Sequence, residues 1–340
     1  MSFAARILTV IGLVALVLLA WHLRQVVLLL FGGLIVASGL AALASLVRRV
    51  TGLSHRWSVA GSVMLLLFAS VAGGWLAGGP LAEQLSAMRE QLPEAFEAVK
   101  SWLNGRPLGL RVLEVWNTTS QDGISWSRVV GAAGITLGAL GSFGLMILLG
   151  IYLAAEPQLY RQGFLSLMPS AQRPKAIDTL DACADAMGRW LKGQGVSMLL
   201  VGTATGLGLA LLGIPLALIL GLIAGLLAFV PFFGPIASGL LAVLLAFTEG
   251  PETALYVAGL CILIQQIEGN LLMPFIQRWA VQLPPVLGLL AVVIFAGLFG
   301  LAGVLFATPL MVMLMVLVKK LYIENLLEVA HGELDEKGRQ

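Results

Sequence analysis

Residues 196–248 read VSMLLVGTATGLGLALLGIPLALILGLIAGLLAFVPFFGPIASGLLAVLLAFT, 53 positions without one charged side chain. A second such stretch, residues 282–318, runs for 37. Water-soluble cores have no use for uncharged runs of that length. A bilayer does, because about 20 predominantly apolar residues are needed to carry a helix across ~30 Å of hydrocarbon. The chain is therefore predicted to be an all-α polytopic integral membrane protein. Outward from these two runs, the apolar pattern predicts about eight transmembrane helices, at 5–23, 25–47, 57–79, 129–155, 196–213, 215–248, 252–273 and 285–318.

Composition agrees with the run lengths. Hydrophobic residues make up 59% of the chain and charged residues 11%, against roughly 25% charged in soluble domains. Forty glycines suit the class, since glycine lets membrane helices approach closely. A net charge of +2 gives no electrostatic footprint for nucleic acid, and membrane lipid is the partner that composition does imply. Cys183 and Cys261 fall in a polar and an apolar segment, so they are read as two unpaired packing thiols. Near the start, Arg6 and the apolar residues 7–20 look like a signal peptide, but Trp21-His22-Leu23-Arg24 offers no small-residue cleavage site. The segment is read as a retained first helix.

Six regions follow from this pattern. They are three N-terminal membrane helices (1–79), an extracytoplasmic amphipathic segment (80–128), one membrane helix (129–155), a cytoplasmic amphipathic segment (156–195), a C-terminal membrane core (196–318) and a cytoplasmic tail (319–340). Eight crossings put both termini on one side. Thirteen Arg and Lys against seven place that side in the cytoplasm, with Arg48, Arg49 and Arg56 in one short loop as the best witness.

The two polar segments are both helical in period. In 80–128, Leu81, Leu85, Met88, Leu92, Phe96, Val99 and Leu103 recur at spacings of three and four. Pro93 is expected to start a second helix or kink the first. The stripe either rests on its own membrane domain or forms a subunit contact, and both readings stay open. In 156–195, Ile177, Leu180, Cys183, Met187 and Trp190 mark an apolar stripe. This predicts a helix lying along the membrane surface that turns in at Gly193-Gln194-Gly195. Asp178, Asp181 and Asp185 share its polar face, where a solvated surface is a better reading than a metal site.

The 34-residue runs 215–248 and 285–318 are too long for straight crossings, since each would measure about 50 Å. Pro231-Phe232-Phe233-Gly234-Pro235 cannot continue a regular helix, because both prolines lack an N–H donor. Gly297, Gly300, Gly303 and Pro309 interrupt the second run. Broken or re-entrant segments are expected near 231–235 and 274–285.

Catalytic signatures are missing. His22, His55 and His331 lie in no HExxH or triad-like context, there is no P-loop, and no cysteine or histidine cluster suits a metal or haem. No cofactor and no enzyme activity are predicted. The one polar constellation at membrane depth is Gln265-Gln266-Ile267-Glu268-Gly269-Asn270. A carboxylate there is expensive and normally faces protein or a water-filled cavity. Glu268 is the candidate for carrying a proton, binding a cation or accepting hydrogen bonds from a solute, with Gln265, Gln266 and Asn270 beside it. The alternative is a carboxyl that ties helices together. Breaks at Pro231, Phe232, Gly234 and Pro235, and at Pro274, Pro284 and Pro285, are candidate gates, because freed backbone groups survive in a membrane only where protein or a cavity satisfies them.

These residues also carry a resemblance. Gly213-Ile214-Pro215-Leu216-Ala217-Leu218, the run Phe229-Val230-Pro231-Phe232-Phe233-Gly234-Pro235-Ile236, and Gln265-Gln266-Ile267-Glu268-Gly269-Asn270-Leu271-Leu272-x-Pro274 are three of its motifs. Leu283-Pro284-Pro285, Gly300-x-x-Gly303-x-x-x-Ala307-x-Pro309-Leu310 and Arg189-Trp190-Leu191-Lys192-Gly193-Gln194 complete the set. Together they resemble the autoinducer-2 exporter (AI-2E) family of bacterial permeases. The likeness in layout covers nearly the whole chain, and its specific motifs lie within 189–310. It implies a multi-pass protein of the bacterial inner membrane that assembles as a homo-oligomer. Members of that family are described as exporters of autoinducer-2, others as sodium- or lithium-proton antiporters. The resulting expectation is an ATP-independent exporter of a small polar solute. A monovalent cation–proton antiporter and a non-transporting scaffold are the alternatives.

Overall fold

Uncharged runs in a bilayer leave the backbone only itself to bond with, so helix is the physical expectation. The computed structural model describes residues 22–106, 137–231, 233–272, 274 and 284–324. Every regular element among them is helical. The helices are α1 (Arg24–Thr51), α2 (His55–Asn104), α3 (Leu137–Ala155), α4 (Pro157–Ser166), α5 (Arg173–Leu211), α6 (Ala217–Leu227), α7 (Phe233–Ala246), α8 (Pro251–Ile267), α9 (Pro285–Phe299) and α10 (Leu301–Val318). Among the described residues, five helices are long and apolar enough to cross a membrane, or six if the bent pair of α3 and α4 makes one span. The expected helix over 5–23, residues 107–128 of the first polar segment and most of the tail lie outside the described residues.

The chain divides into two compact units. The first comprises Met1–Met64, Gly138–Leu191 and Leu283–Gln340, the second Leu65–Leu137 and Lys192–Gln282. Both boundaries between α2 and α5 halves fall inside a continuous helix. α2 runs for 50 residues through Pro80 and Pro93, so neither proline starts a new helix. α5 likewise passes through Gly193-Gln194-Gly195 without the predicted turn. Two glycines cost about 1 kcal/mol each in a helix, which weakens it without removing any backbone hydrogen bond.

In the first unit, Phe31 of α1 meets Phe306 of α10 edge-on at 6.2 Å. Leu40, Ala44, Val59 and Ala154 form a small core. The stripe on α5 is spent inside the protein: Cys183, Met187 and Trp190 are buried, so this helix does not simply lie on lipid. Its polar face is paired, with Asp181 accepting from Arg161 at 2.7 Å and Asp178 from Lys320 at 2.8 Å. α9 turns into α10 at Gly300, whose φ of 64° and ψ of −143° only glycine adopts readily. The 285–318 run is thus a hairpin and not one crossing.

The second unit has two distinct ends. At one, Leu92 and Ala95 of α2 pack with Leu209 of α5, Ile214 and Leu216, Leu245 and Ala246 of α7, and Ala254 and Val257 of α8. Leu81, Met88 and Leu92 of the α2 stripe thus pack within this unit, while Leu85 stays exposed. At the other end, Val201 of α5 meets Ala224 and Ala228. α6 therefore runs from the first end to the second, and α7 returns. With 11 and 14 residues, they reach only about 16 and 21 Å, so the 215–248 run is a helical hairpin with arms too short to cross. It leans on α5 through facing small residues, Gly202 and Gly206 against Gly221 and Gly225, the spacing that lets membrane helices touch by their backbones.

A Cβ on Gly221 would sit 2.7 Å from the Gly206 Cα and 2.9 Å from the Gly202 oxygen. Backbone cannot swing aside as a side chain does. Gly221→Ala is expected to destabilise by about 1–3 kcal/mol, the usual cost of overpacking. Thermal unfolding of the detergent-solubilised protein reads this directly. Gly297→Ala, where nothing lies within 4 Å of the added atom, serves as control and should melt no lower than wild type.

Candidate functional site

Glu268 follows α8 directly, and its N–H bonds to the carbonyls of Ile264 and Gln265. From there to Leu272 the helix widens into a single π turn. Gly269 and Asn270 are poor helix formers, which lets the α pattern give way there. Such π turns recur at functional sites. The Glu268 carboxyl is half-buried, and its Oε1 accepts a hydrogen bond of 2.5 Å from the Ser197 hydroxyl of α5. Ser197 itself is buried, at 1% exposure.

One turn earlier on the same face of α5 lies Gln194. Its Nε2 donates to the Ala228 carbonyl at 2.6 Å, where α6 ends. The last carbonyls of any helix lack partners within it, and Ala228 is buried. The tip that follows is held by Val230 N–H to Leu227 O at 3.0 Å and Gly234 N–H to Val230 O at 2.9 Å. A Cβ on Gly234 would run into the Leu227 carbonyl, so only glycine lets the hairpin close. Ser238 on α7 donates back to the Gly234 carbonyl at 2.9 Å.

α6 is secured at its other end by a second glutamine. Gln84 of α2 offers Oε1 to the Ile219 N–H at 2.9 Å, one of the four orphan donors of a helix start. Between the α5 and α6 faces lies a groove of about 1080 Å³ that extends from Gly195 to Pro215 and Gln84. Its described walls are mostly glycine, alanine and leucine, with Met198, Ile214 and Pro215, and Gln84 and Thr203 are their polar members.

Sequence-predicted residues divide accordingly. Glu268 joins Ser197, and Pro231, Gly234 and Pro235 form the hairpin tip and its first turn of α7. Gln266 and Asn270 face outward and pair with each other at a long 3.5 Å. Gln265 is half-buried, and no bond joins it to Glu268 among the described residues. Phe232 lies outside the described residues, as does most of the segment between Pro274 and Pro284. Pro284 precedes and Pro285 begins α9, the first helical position where proline costs nothing. Both belong to the first unit. Ser197 and Gln84 were missed, and Gln194 entered only as part of a motif. The available signal was two polar residues three apart in an uncharged run, since polar groups at membrane depth need partners. Among the described residues, no three His, Cys, Asp or Glu converge to hold a metal.

The family model described as AI-2E family transporter matches residues 10–323. The chain belongs to the AI-2E transporter family. Among its relatives is YrrI of Bacillus subtilis, provisionally named a transport protein, 31% identical over 158 residues that make up 46% of this chain and 45% of YrrI. YueF of the same organism, likewise provisionally a transport protein, is 30% identical over 43% of this chain and 39% of YueF. PerM of Escherichia coli, provisionally a permease, is 34% identical over 36% of this chain and 35% of PerM. The matched stretch spans less than half the length of these relatives. This AI-2E transporter is thus a multi-pass membrane protein of a permease family.

Gln194→Leu removes the side-chain donor that bonds the Ala228 carbonyl at the end of α6. Leaving a buried carbonyl unsatisfied costs about 1–3 kcal/mol. The variant is expected to melt lower than wild type in detergent, and amide exchange at the hairpin tip should rise more than exchange along α8.

Proposed function

We propose that this AI-2E transporter is an ATP-independent secondary transporter that exports a small polar solute across the bacterial inner membrane. The observation that carries this reading is the Ser197–Glu268 hydrogen bond, on the same α5 face from which Gln194 holds the hairpin tip. A carboxylate held by one hydroxyl has acceptor capacity to spare, so a solute hydroxyl or a proton can compete with Ser197 for it. Gln265 lies within a turn of it. The break around Pro231–Pro235 is the proposed gate, because releasing Gln194 from Ala228 frees the tip at the cost of a single hydrogen bond.

Orientation supports an export reading. With the termini in the cytoplasm, the basic residues of α5 up to Lys192 lie inside. The α6–α7 hairpin then enters from outside, and its tip points inward beside Glu268. This is the opposite side from the one an unbroken count of crossings gives. Autoinducer-2, small and rich in oxygens, is a cargo such a site suits. The oligomeric assembly in this proposal rests on the family resemblance alone.

Monovalent cation–proton antiport is the second reading, favoured by the two hard oxygens of Ser197 and Glu268 at one point, the ligand type that alkali cations select. Both are tested in proteoliposomes made from wild type, Glu268→Gln and Ser197→Ala. Saturable efflux of labelled autoinducer-2 driven by a proton gradient, lost in Glu268→Gln and weakened about ten- to hundredfold in Ser197→Ala, is the expected result. A hydrogen bond to a charged carboxylate contributes about 1.5–3 kcal/mol. Na⁺–H⁺ exchange without solute flux would favour the antiporter. Neither flux, with a cysteine at position 268 fully protected from a water-soluble thiol reagent, would point to a scaffold.

A further inference from the structure

Three basic side chains of the first unit pair with carboxylates. Arg56 reaches Glu156 at 3.1 Å, Arg161 reaches Asp181 at 2.7 Å, and Lys320 reaches Asp178 at 2.8 Å and Glu324 at 3.2 Å. At the junction of α1 and α2, Arg56 takes Glu156, whereas Arg48 and Arg49 form no such pair among the described residues. Arg48 and Arg49 stand in the last turn of α1, Gly52 ends the helix at φ 69°, and α2 begins three residues later at His55. There Ala41, Ala44, Ser45, Arg48, Arg49 and His55 line a cavity of about 470 Å³. Among the described residues, no carboxylate lines it.

We infer that this cavity binds the phosphate of an anionic membrane lipid. Two adjacent guanidiniums present rigid N–H forks that match phosphate oxygens two at a time. His55 is already oriented: the Ala154 carbonyl can only accept, so Nε2 carries the hydrogen across their 2.9 Å contact. That leaves Nδ1 as its second ring nitrogen. The Ser45 hydroxyl donates to Ala42 at 2.6 Å, so the arginines supply the positive charge and the principal donors.

A free phosphate has the same oxygens, but the surroundings favour a lipid. Around the cavity Val50 is 88% exposed, Trp57 69% and Leu53 44%. Apolar and aromatic side chains beside unpaired cations, at the ends of two candidate spans, match the boundary between headgroups and acyl chains. Basic pockets between membrane helices take anionic headgroups in this way. The site lies wholly within the first unit, and Glu268 belongs to the second.

The test uses the purified full chain in neutral detergent, with thermal stability and lipid retention in native mass spectrometry as readouts. Phosphatidylglycerol should raise the melting temperature and remain bound, while phosphatidylcholine and inorganic phosphate should do neither. In Arg48→Gln/Arg49→Gln the preference for phosphatidylglycerol should fall about tenfold or more, as each basic residue near an anionic surface contributes about 1 kcal/mol. Arg48→Lys/Arg49→Lys, which keeps the charges that orient the chain, should lose part of it and replaces the glutamine variant if that one fails to fold. Equal stabilisation by phosphatidylcholine, or an unchanged preference in the folded variant, overturns the site. An equal gain from inorganic phosphate overturns the lipid assignment.

Discussion

A helix that ends inside a membrane must find partners for its terminal backbone groups within the protein, and α6 meets that demand with two glutamines. Gln84 accepts from the Ile219 N–H at its start, and Gln194 donates to the Ala228 carbonyl at its end. Neither glutamine belongs to the hairpin. One comes from α2 and one from α5, so this segment is stable only in a unit whose other helices are already in place. Gly202, Gly206, Gly221 and Gly225 supply the close approach that brings α6 within reach of both. An unmade hydrogen bond at this depth costs several kcal/mol, more than loose apolar packing of an 11-residue helix can offset.

Much of the fold was legible in the residues, and its limits have physical causes. Run length gave the membrane class, and the prolines of 231–235 gave the break, because a missing N–H is a local property. The return of α7 to its starting end was not legible. It depends on contacts between residues 135 and 34 positions apart, Ile219 with Gln84 and Ala228 with Gln194. α2 and α5 failed in the other sense. Pro80, Pro93 and the Gly193-Gln194-Gly195 motif all weaken helix locally, yet both helices continue through them. The candidate site was half legible: Glu268 stood out as a charge in apolar surroundings, whereas Ser197, the group that holds it, is small and common.

The two units also handle polarity differently. The first neutralises Asp178, Asp181 and Glu156 with Lys320, Arg161 and Arg56, and these pairs are half-exposed and individually weak. The second gives the half-buried Glu268 carboxyl no cation among the described residues, only the Ser197 hydroxyl. A carboxyl so held remains responsive to whatever polar species arrives, which is the property a coupling group needs. The structural pairs and the responsive group thus lie in different parts of the chain.

The π turn at Glu268–Leu272 has a geometric consequence of its own. It accommodates one residue more than an α turn over the same stretch of axis, and a residue in an α-helix occupies about 100° of rotation and 1.5 Å of rise. Relaxing the turn would therefore roll everything on one side of it by that angle and slide it by that rise while leaving the chain helical. Position 268 sits at the seam of this dislocation. The direction in which its carboxyl looks is set by where a single surplus residue is stored, so a defect travelling one turn along α8 would re-aim the group without any hinge.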